Sequence, residues 1–278
     1  MVKKTLNCNG KILDLSSPKI MGILNLNQDS FYDGGKYLGQ DAIIAQVSKM
    51  QTDGMTILDL GPSSSKPGQS ISNPADEIKI LQETLALILK NFNDLIISVD
   101  TYHAKVAHWA INNGAHIIND ISAGQIDAKM FEVVKSLNVP YIMMHMKGVP
   151  SNMQNQPCYE DLEKEVLDYF VDKVTYLKDQ GVKDIVIDPG FGFGKTISDN
   201  YRLLKNMNVF KMLDVPILAG VSRKSMIYKV LETTPAEALN GTSVLNILAL
   251  ENGANILRVH DVKQAKETIK LYNYYNSI

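Results

Sequence analysis

Eight short, continuously apolar runs alternate with eight longer amphipathic stretches, and no linker divides them. This pattern predicts an α/β chain folded as a single (β/α)8 TIM barrel. The length of 278 residues suits one barrel of roughly 250 residues plus a short extension. A doubly wound open sheet alternates in the same way and is the competing architecture. The count of eight favours the barrel.

The first segment stands apart. Asn9-Gly10 is a two-residue turn signal, so residues 1–19 are expected as an N-terminal hairpin plugging the bottom of a barrel formed by 20–278. Strands are expected at 20–26, 56–60, 95–100, 116–120, 139–145, 184–188, 215–221 and 255–260. These runs are β-branched and show little alternation, as parallel strands covered on both faces should. Helices are expected at 41–52, 74–91, 104–113, 128–137, 159–180, 198–207, 235–252 and 262–275, with stops at Gly54, Gly114, Gly181 and Gly253.

Composition narrows the function. Apolar residues make up 45% of the chain and charged residues 21%, enough for a large core. The net charge of −2 argues against a general nucleic-acid binder. The opening lysines precede no apolar stretch, so no signal peptide is read, and no run is long enough to span a membrane. Cys8 and Cys158 fit a reducing compartment better than a disulfide scaffold. A cytoplasmic protein is expected, with neither nucleic acid nor membrane as partner. Only three of the 28 basic residues are arginines (Arg202, Arg223 and Arg258). Each is therefore informative, because a planar guanidinium does what an ammonium cannot.

Barrel enzymes carry their chemistry at the C-terminal ends of the strands. Each expected strand here ends in a polar group: Asn25, Asp59, Asp100, Asn119-Asp120, His145, Asp188, Ser222-Arg223-Lys224, and Arg258 with His260. One such residue is unremarkable at a half-exposed strand end, but a full set points to a site. The glycine-rich stretch 188–196 fails both nucleotide fingerprints. Pro189 stands where a P-loop needs its first glycine, and the spacing of Gly190, Gly192 and Gly194 is not that of a dinucleotide site. It is read as a loop presenting Phe191 and Phe193 to a flat ligand. His103, His108 and His116 have no partner at zinc-ligand spacing.

The strand ends also form a series of motifs. Met21-Gly-Ile-Leu-Asn-Leu-Asn-Gln-Asp-Ser-Phe-Tyr-Asp-Gly-Gly35 and Asp59-Leu-Gly-Pro-Ser-Ser-Ser-Lys-Pro-Gly68 resemble the two signatures of the dihydropteroate synthase family. Ser98-Val-Asp-Thr101, Asn119-Asp-Ile-Ser122, Met143-Met-His-Met-Lys-Gly148, Gly220-Val-Ser-Arg-Lys-Ser225 and Arg258-Val-His-Asp-Val262 follow in the family's order. The resemblance covers roughly 20–262. It implies a transferase of folate biosynthesis that joins 6-hydroxymethyl-7,8-dihydropterin diphosphate to 4-aminobenzoate, releasing diphosphate. It also implies a homodimer.

By the same resemblance, Asp188 accepts two donors from the pterin edge, Asp100 and Asn119 read other ring atoms, Lys224 donates to the ring, and Met143 packs on its face. Arg258 and His260 receive the departing diphosphate, with Ser65 and Lys66, and with Asn25 through Mg²⁺. Asp100 and Asp33 stabilise the cationic methylene that remains, and 4-aminobenzoate lies between Phe193, Ser222 and the Lys224 stem. Asp100, Lys224, Arg258 and His260 are thus the expected catalytic groups. Two loops depart from the family. Asn27-Gln28 replaces a Thr-Pro pair, and Pro62-Ser-Ser-Ser-Lys66 replaces Gly-Glu-Ser-Thr-Arg. These departures keep open a non-catalytic pterin-binding paralogue, and the shared pterin carboxylates keep open a pterin-dependent corrinoid methyltransferase.

Lys66 yields a prediction. An ammonium meets diphosphate as a point charge, whereas a guanidinium meets it with two parallel N–H bonds. Lys66→Arg is expected to raise kcat/KM for the pterin diphosphate about fivefold, equivalent to about 1 kcal/mol. Steady-state kinetics at saturating 4-aminobenzoate measure this, and an unchanged or lower value rejects direct contact between Lys66 and diphosphate.

Overall fold

A computed structural model of the chain describes residues 3–26, 36–62, 72–148 and 157–278. Strands β1 (Thr5–Cys8) and β2 (Lys11–Asp14) form an antiparallel hairpin in which Thr5 faces Asp14 and Cys8 faces Lys11. Its two-residue turn needs positive φ at both positions, and Asn9 (52°) and Gly10 (93°) supply it. Asn7 Oδ1 accepts the Gly10 N–H at 2.9 Å and closes the turn.

Parallel strands and helices then alternate: β3 (Lys19–Asn25), α1 (Lys36–Thr52), β4 (Ile57–Gly61), α2 (Pro74–Asn91), β5 (Ile96–Asp100), α3 (Ala104–Asn112), β6 (Ile117–Asp120), α4 (Met130–Leu137), β7 (Tyr141–Met144), α5 (Leu162–Asp179), β8 (Ile185–Asp188), α6 (Ile197–Lys205), β9 (Leu218–Ala219), α7 (Ser225–Tyr228), α8 (Leu239–Glu251), β10 (Ile256–Val259) and α9 (Val262–Tyr275). Strands β3 to β8 pair in sequence, and β10 lies between β3 and β9. The Ile187–Ile217 bridge, with Ile187 N donating to Pro216 O at 3.0 Å, joins β8 to the residue before β9 and closes the ring. A doubly wound sheet reverses its strand order, and this one does not.

Side chains alternate across each strand with a period of two, and that period builds the barrel in layers. Met21, Ile57, Ile96, Ile117, Ile142, Val186, Leu218 and Ile256, one from each barrel strand, form a single buried cluster with Leu6, Cys8, Leu13 and Leu15 of the hairpin segment. The hairpin is therefore packed into the N-terminal end of the barrel. Burial pushes the Cys8 thiol up to about 12. The intervening residues, including Leu58, Ile97, Ile118, Met143, Ile187 and Leu257, point outward and pack under the helices in the main core.

Several elements differ from their expected bounds. The strand expected at 215–221 shortens to β9, where Pro216 has no N–H to donate to a ladder. The helix expected at 235–252 divides into a 3₁₀ turn, Pro235–Glu237, followed by α8. The helix expected at 198–207 starts one residue early because Thr196 and Asp199 form a reciprocal capping box, and a 3₁₀ segment, Met207–Leu213, follows it. Helix α7 had no periodic signal to announce it.

If the hairpin fills the barrel end, truncating a side chain within that plug opens a cavity. Leu6, only 1% exposed, is the test. Leu6→Ala is expected to lower the unfolding free energy by about 2–5 kcal/mol in urea titrations, and a loss below about 0.5 kcal/mol would remove the hairpin from the core.

Candidate active site

Two residues beyond the apolar layer, the inward positions become Asp59, Ser98, Asn119, Met144, Asp188, Gly220 and Arg258. The same alternation that buries Ile57, Ile96, Ile117 and Ile256 thus sets a polar layer directly above them, at the C-terminal mouth.

Arg258 ties this layer together. Its Nε donates to Asp59 Oδ2 at 2.7 Å, and its Nη2 donates to Asp100 Oδ2 at 2.8 Å. Asn119 Nδ2 donates to the same Asp59 oxygen at 3.1 Å. Burial works against the Arg258 charge, yet Asp59 and Asp100 hold it protonated above the usual arginine range. Burial pushes the Asp100 carboxyl up to about 7, against the pull of Arg258 and with the help of Asp59. Asp59 Oδ1 and Ser98 Oγ face each other across the β4–β5 register, fully buried, with no hydrogen-bond partner among the described residues. At the C-terminal mouth, such open buried polar atoms are available to the polar edge of a bound molecule.

Asp188 and Lys224 form the second half. The Gly190 N–H caps Asp188 Oδ1 at 2.8 Å, and burial raises this carboxyl against the opposing charge of Lys224. Lys224 Nζ donates to Phe191 O at 2.6 Å and lies 4.8 Å from the centre of the Phe193 ring. Burial pushes Lys224 down to about 8, with Asp188 holding it up. A methyl group placed on Gly220 would sit 3.7 Å from Lys224 Nζ and 3.9 Å from both Asp188 Oδ2 and Arg258 Cβ. Gly220 therefore lies at the floor where these three groups converge.

The glycine loop after β8 is shaped by close approach to the end of β7. A Cβ on Gly190 (φ 72°) would stand 2.0 Å from His145 O, and one on Gly194 (φ 61°) 2.4 Å from Lys147 O. Lys195 is buried and donates to His145 Nδ1 (2.9 Å), Gly190 O (3.0 Å) and Phe193 O (3.1 Å). The lysine of the Gly-Lys-Thr triplet thus fastens the loop from within. Beyond the next two strands of the ring, β9 and β10, Ser222 Oγ lies 3.0 Å from His260 Nδ1, and His260 N donates to Ser222 Oγ at 3.2 Å. Crowding by its neighbours, then the charge of Arg258, holds the His260 imidazole down to about 4.

A family profile described as pterin binding enzyme matches residues 21–260. A dihydropteroate synthase of Haemophilus influenzae is 39% identical over 269 residues, spanning 96% of this chain and 97% of that protein. The chain belongs to the dihydropteroate synthase family. Among solved dihydropteroate synthases, that of Yersinia pestis in a sulfonamide drug complex superposes with a TM-score of 0.91 at 34% identity, covering 99% of this chain and all of the other. The Xanthomonas albilineans enzyme with 4-aminobenzoic acid gives 0.91 at 32% identity, with complete coverage of both chains.

The family's expected residues do not all converge. Asp100, Asn119, Asp188, Lys224 and Arg258 meet at the mouth, and Ser222 with His260 forms a corner beside them. Phe193 reaches the mouth in a small cluster with Tyr102, Ile121, Met144 and Met146. Met143 is a correction. It is fully buried in the outer core because its position on β7 points away from the barrel axis, and Met144 takes the inward place. Phe191 is also corrected, since its ring is buried in the main core and only its carbonyl meets Lys224. Asp120 turns outward to the Tyr141 hydroxyl at 2.7 Å and to Ser122. Asn25 is exposed at the end of β3. Asp33, Ser65 and Lys66 lie outside the described residues. Sequence reasoning placed Asp59 among the polar strand ends but gave it no role, although its two-residue offset from Ile57 was available as a signal.

Asp100 gives the site a pH signature. Its folded value of about 7 exceeds the ordinary 3.8, so the folded protein holds this proton more tightly than the unfolded chain does. The corresponding stability is complete below the ordinary value and is lost as pH rises towards the folded one. Asp100→Asn removes that loss. In urea unfolding, the variant's stability relative to the parent is expected to improve by roughly 1–3 kcal/mol between about pH 5 and pH 8. A pH-independent difference contradicts this account of Asp100.

Proposed function

We propose that this chain condenses 6-hydroxymethyl-7,8-dihydropterin diphosphate with 4-aminobenzoate to give 7,8-dihydropteroate and diphosphate. The observation that carries the reading is the polar layer at the barrel mouth, where buried Asp59, Asp100, Asn119 and Asp188 meet half-buried Lys224 and Arg258 and two acceptor-bearing groups remain open. Such a layer suits a flat, nitrogen-rich ring with donors and acceptors on its edges.

Asp188 accepts from the amide and amine edge of the pterin, because a carboxylate offers two parallel acceptors to that pair. Asn119 and Asp59 read further ring atoms, Lys224 donates to the ring carbonyl, and Met144 covers the ring face. Departure of diphosphate breaks the bond from the pterin methylene to oxygen and leaves a delocalised cation. Arg258 and His260 stabilise the charge growing on the leaving group, and Asp100 stabilises the methylene. The arylamine then forms the new C–N bond and loses a proton to solvent. Phe193, Ser222 and the Lys224 stem hold the aminobenzoate ring. By the family resemblance, Asp33, Ser65 and Lys66 also serve the two substrates.

Among the described residues no group of three His, Cys, Asp or Glu side chains could hold a resident metal. The donor set fits Mg²⁺ held chiefly by substrate oxygens and water, with Asn25 as a protein ligand; when bound, the ion would neutralise diphosphate charge. Two proposals concern the whole molecule. Exposed Val244 and Leu248, one turn apart on α8, and exposed Leu271, Tyr274 and Tyr275 on α9 support a homodimer across these helices. No helix among the described residues is long and apolar enough to cross a membrane, which supports a cytoplasmic location.

Release of diphosphate that depends on 4-aminobenzoate tests the reading, and release without it, or none at all, refutes it. Asp188→Asn turns one acceptor into a donor facing a donor edge. It is expected to weaken pterin binding about 5- to 150-fold by calorimetry, the equivalent of roughly 1–3 kcal/mol. Unchanged affinity would remove Asp188 from the pterin edge.

A further inference from the structure

Arg223 takes no part in the proposed chemistry, yet it is among the most heavily bonded side chains beside the site. Its Nε and Nη2 meet Asp261 Oδ2 and Oδ1 at 2.8 and 2.9 Å, a two-pronged ion pair. Its Nη1 donates to Pro235 O at 2.8 Å and to Ala236 O, and its backbone N–H donates to Thr242 Oγ1 at 3.0 Å. One side chain therefore fastens the loop after β9 both to the loop after β10 and to the 3₁₀ turn before α8. Its backbone sits at φ 54°, in the left-handed region that favours glycine. The local conformation asks for glycine, whereas the bonding asks for a guanidinium, and the chain keeps the guanidinium at one of its three arginine positions.

The two loops are joined twice. Ser222 and His260 meet on the side of the mouth, while the next residues along, Arg223 and Asp261, meet behind them. We propose that Arg223 is a positioning residue, whose fork on Asp261 holds the His260 loop against Ser222 and so sets His260 where it receives diphosphate. A lysine could reach Asp261 but could not grip both carboxylate oxygens and two carbonyls from one planar group. Lys224 is anchored separately through Phe191 O, so the pterin end of the site does not depend on this fork. The inference rests on the proposed reading of Arg258 and His260 as the leaving-group end.

Arg223→Gly separates backbone shape from bonding, because glycine suits φ 54° and lacks the fork. Calorimetric titration with inorganic diphosphate, and separately with 6-hydroxymethylpterin, reads the two ends of the site. Arg223→Gly is expected to lose at least about tenfold in diphosphate affinity while the pterin affinity stays within about twofold. Arg223→Lys should fall between. Asp261→Asn should act in the same direction and carries the same test if Arg223→Gly does not fold. The double variant should be no worse than Arg223→Gly alone, since both remove one interaction. Unchanged diphosphate affinity, equal losses for both ligands, additive losses in the double variant, or absence of diphosphate binding to the parent protein would each overturn the proposal. Turnover of the parent enzyme is scored independently. Loss of aminobenzoate-dependent diphosphate release refutes the functional reading, while the affinity split still decides the role of Arg223.

Discussion

The guanidinium of Arg258, set between Asp59 and Asp100, is the interaction on which the mouth of this barrel depends. Three inward carboxylates from β4, β5 and β8 share one enclosed space, and burying ionised carboxylates without partners is costly. Arg258 reaches two of them from β10, and Lys224 counters the third. Asn119 then donates to an oxygen that Arg258 already holds. The charges do not balance fully, since Asp100 is left with a carboxyl drawn up towards neutrality. A ligand bearing N–H donors and a positive centre would relieve that imbalance, so the protein's own charges are complementary to the cation of the proposed reaction.

This arrangement follows from an elementary rule. A strand places every second residue on one face, and the closed parallel sheet turns one face of all eight strands inward. A ring of aliphatic side chains, capped below by the hairpin, lies beneath a ring of polar ones. The lower ring stabilises the barrel while the upper ring confers chemistry, and the two are separated by two residues in each strand.

Much of this was legible in the sequence. The eightfold alternation gave the architecture, and the polar strand ends placed Asp100, Asn119, Asp188 and Arg258 at one mouth. What was not legible came from register and from loops. Met143 and Met144 are chemically identical, and only strand alternation within the closed barrel decides which one faces the axis. Phe191 and Phe193 lie two apart in a turn, where no strand period applies; a glycine at positive φ separates them and only the Phe191 ring enters the main core. Arg223 and Asp261 are 38 residues apart, so no local pattern could announce their pairing. The Gly-Lys-Thr triplet, which lacks the first glycine of a phosphate loop, has its lysine turned inward onto carbonyls and His145, a role no spacing announces.

The hairpin at the foot of the barrel has a consequence for traffic. With Leu6, Cys8, Leu13 and Leu15 packed against the lowest ring of side chains, the barrel is closed at its foot and its polar groups open at one mouth. Everything that reacts there must enter and depart by the same doorway. On the proposed reading, the pterin on Asp188 and Asn119 sits directly on the packed floor, and the second substrate approaches from above it. The occupant nearest the floor is consequently the first to arrive, and once the new C–N bond forms it departs joined to the second, an order imposed by the closed floor.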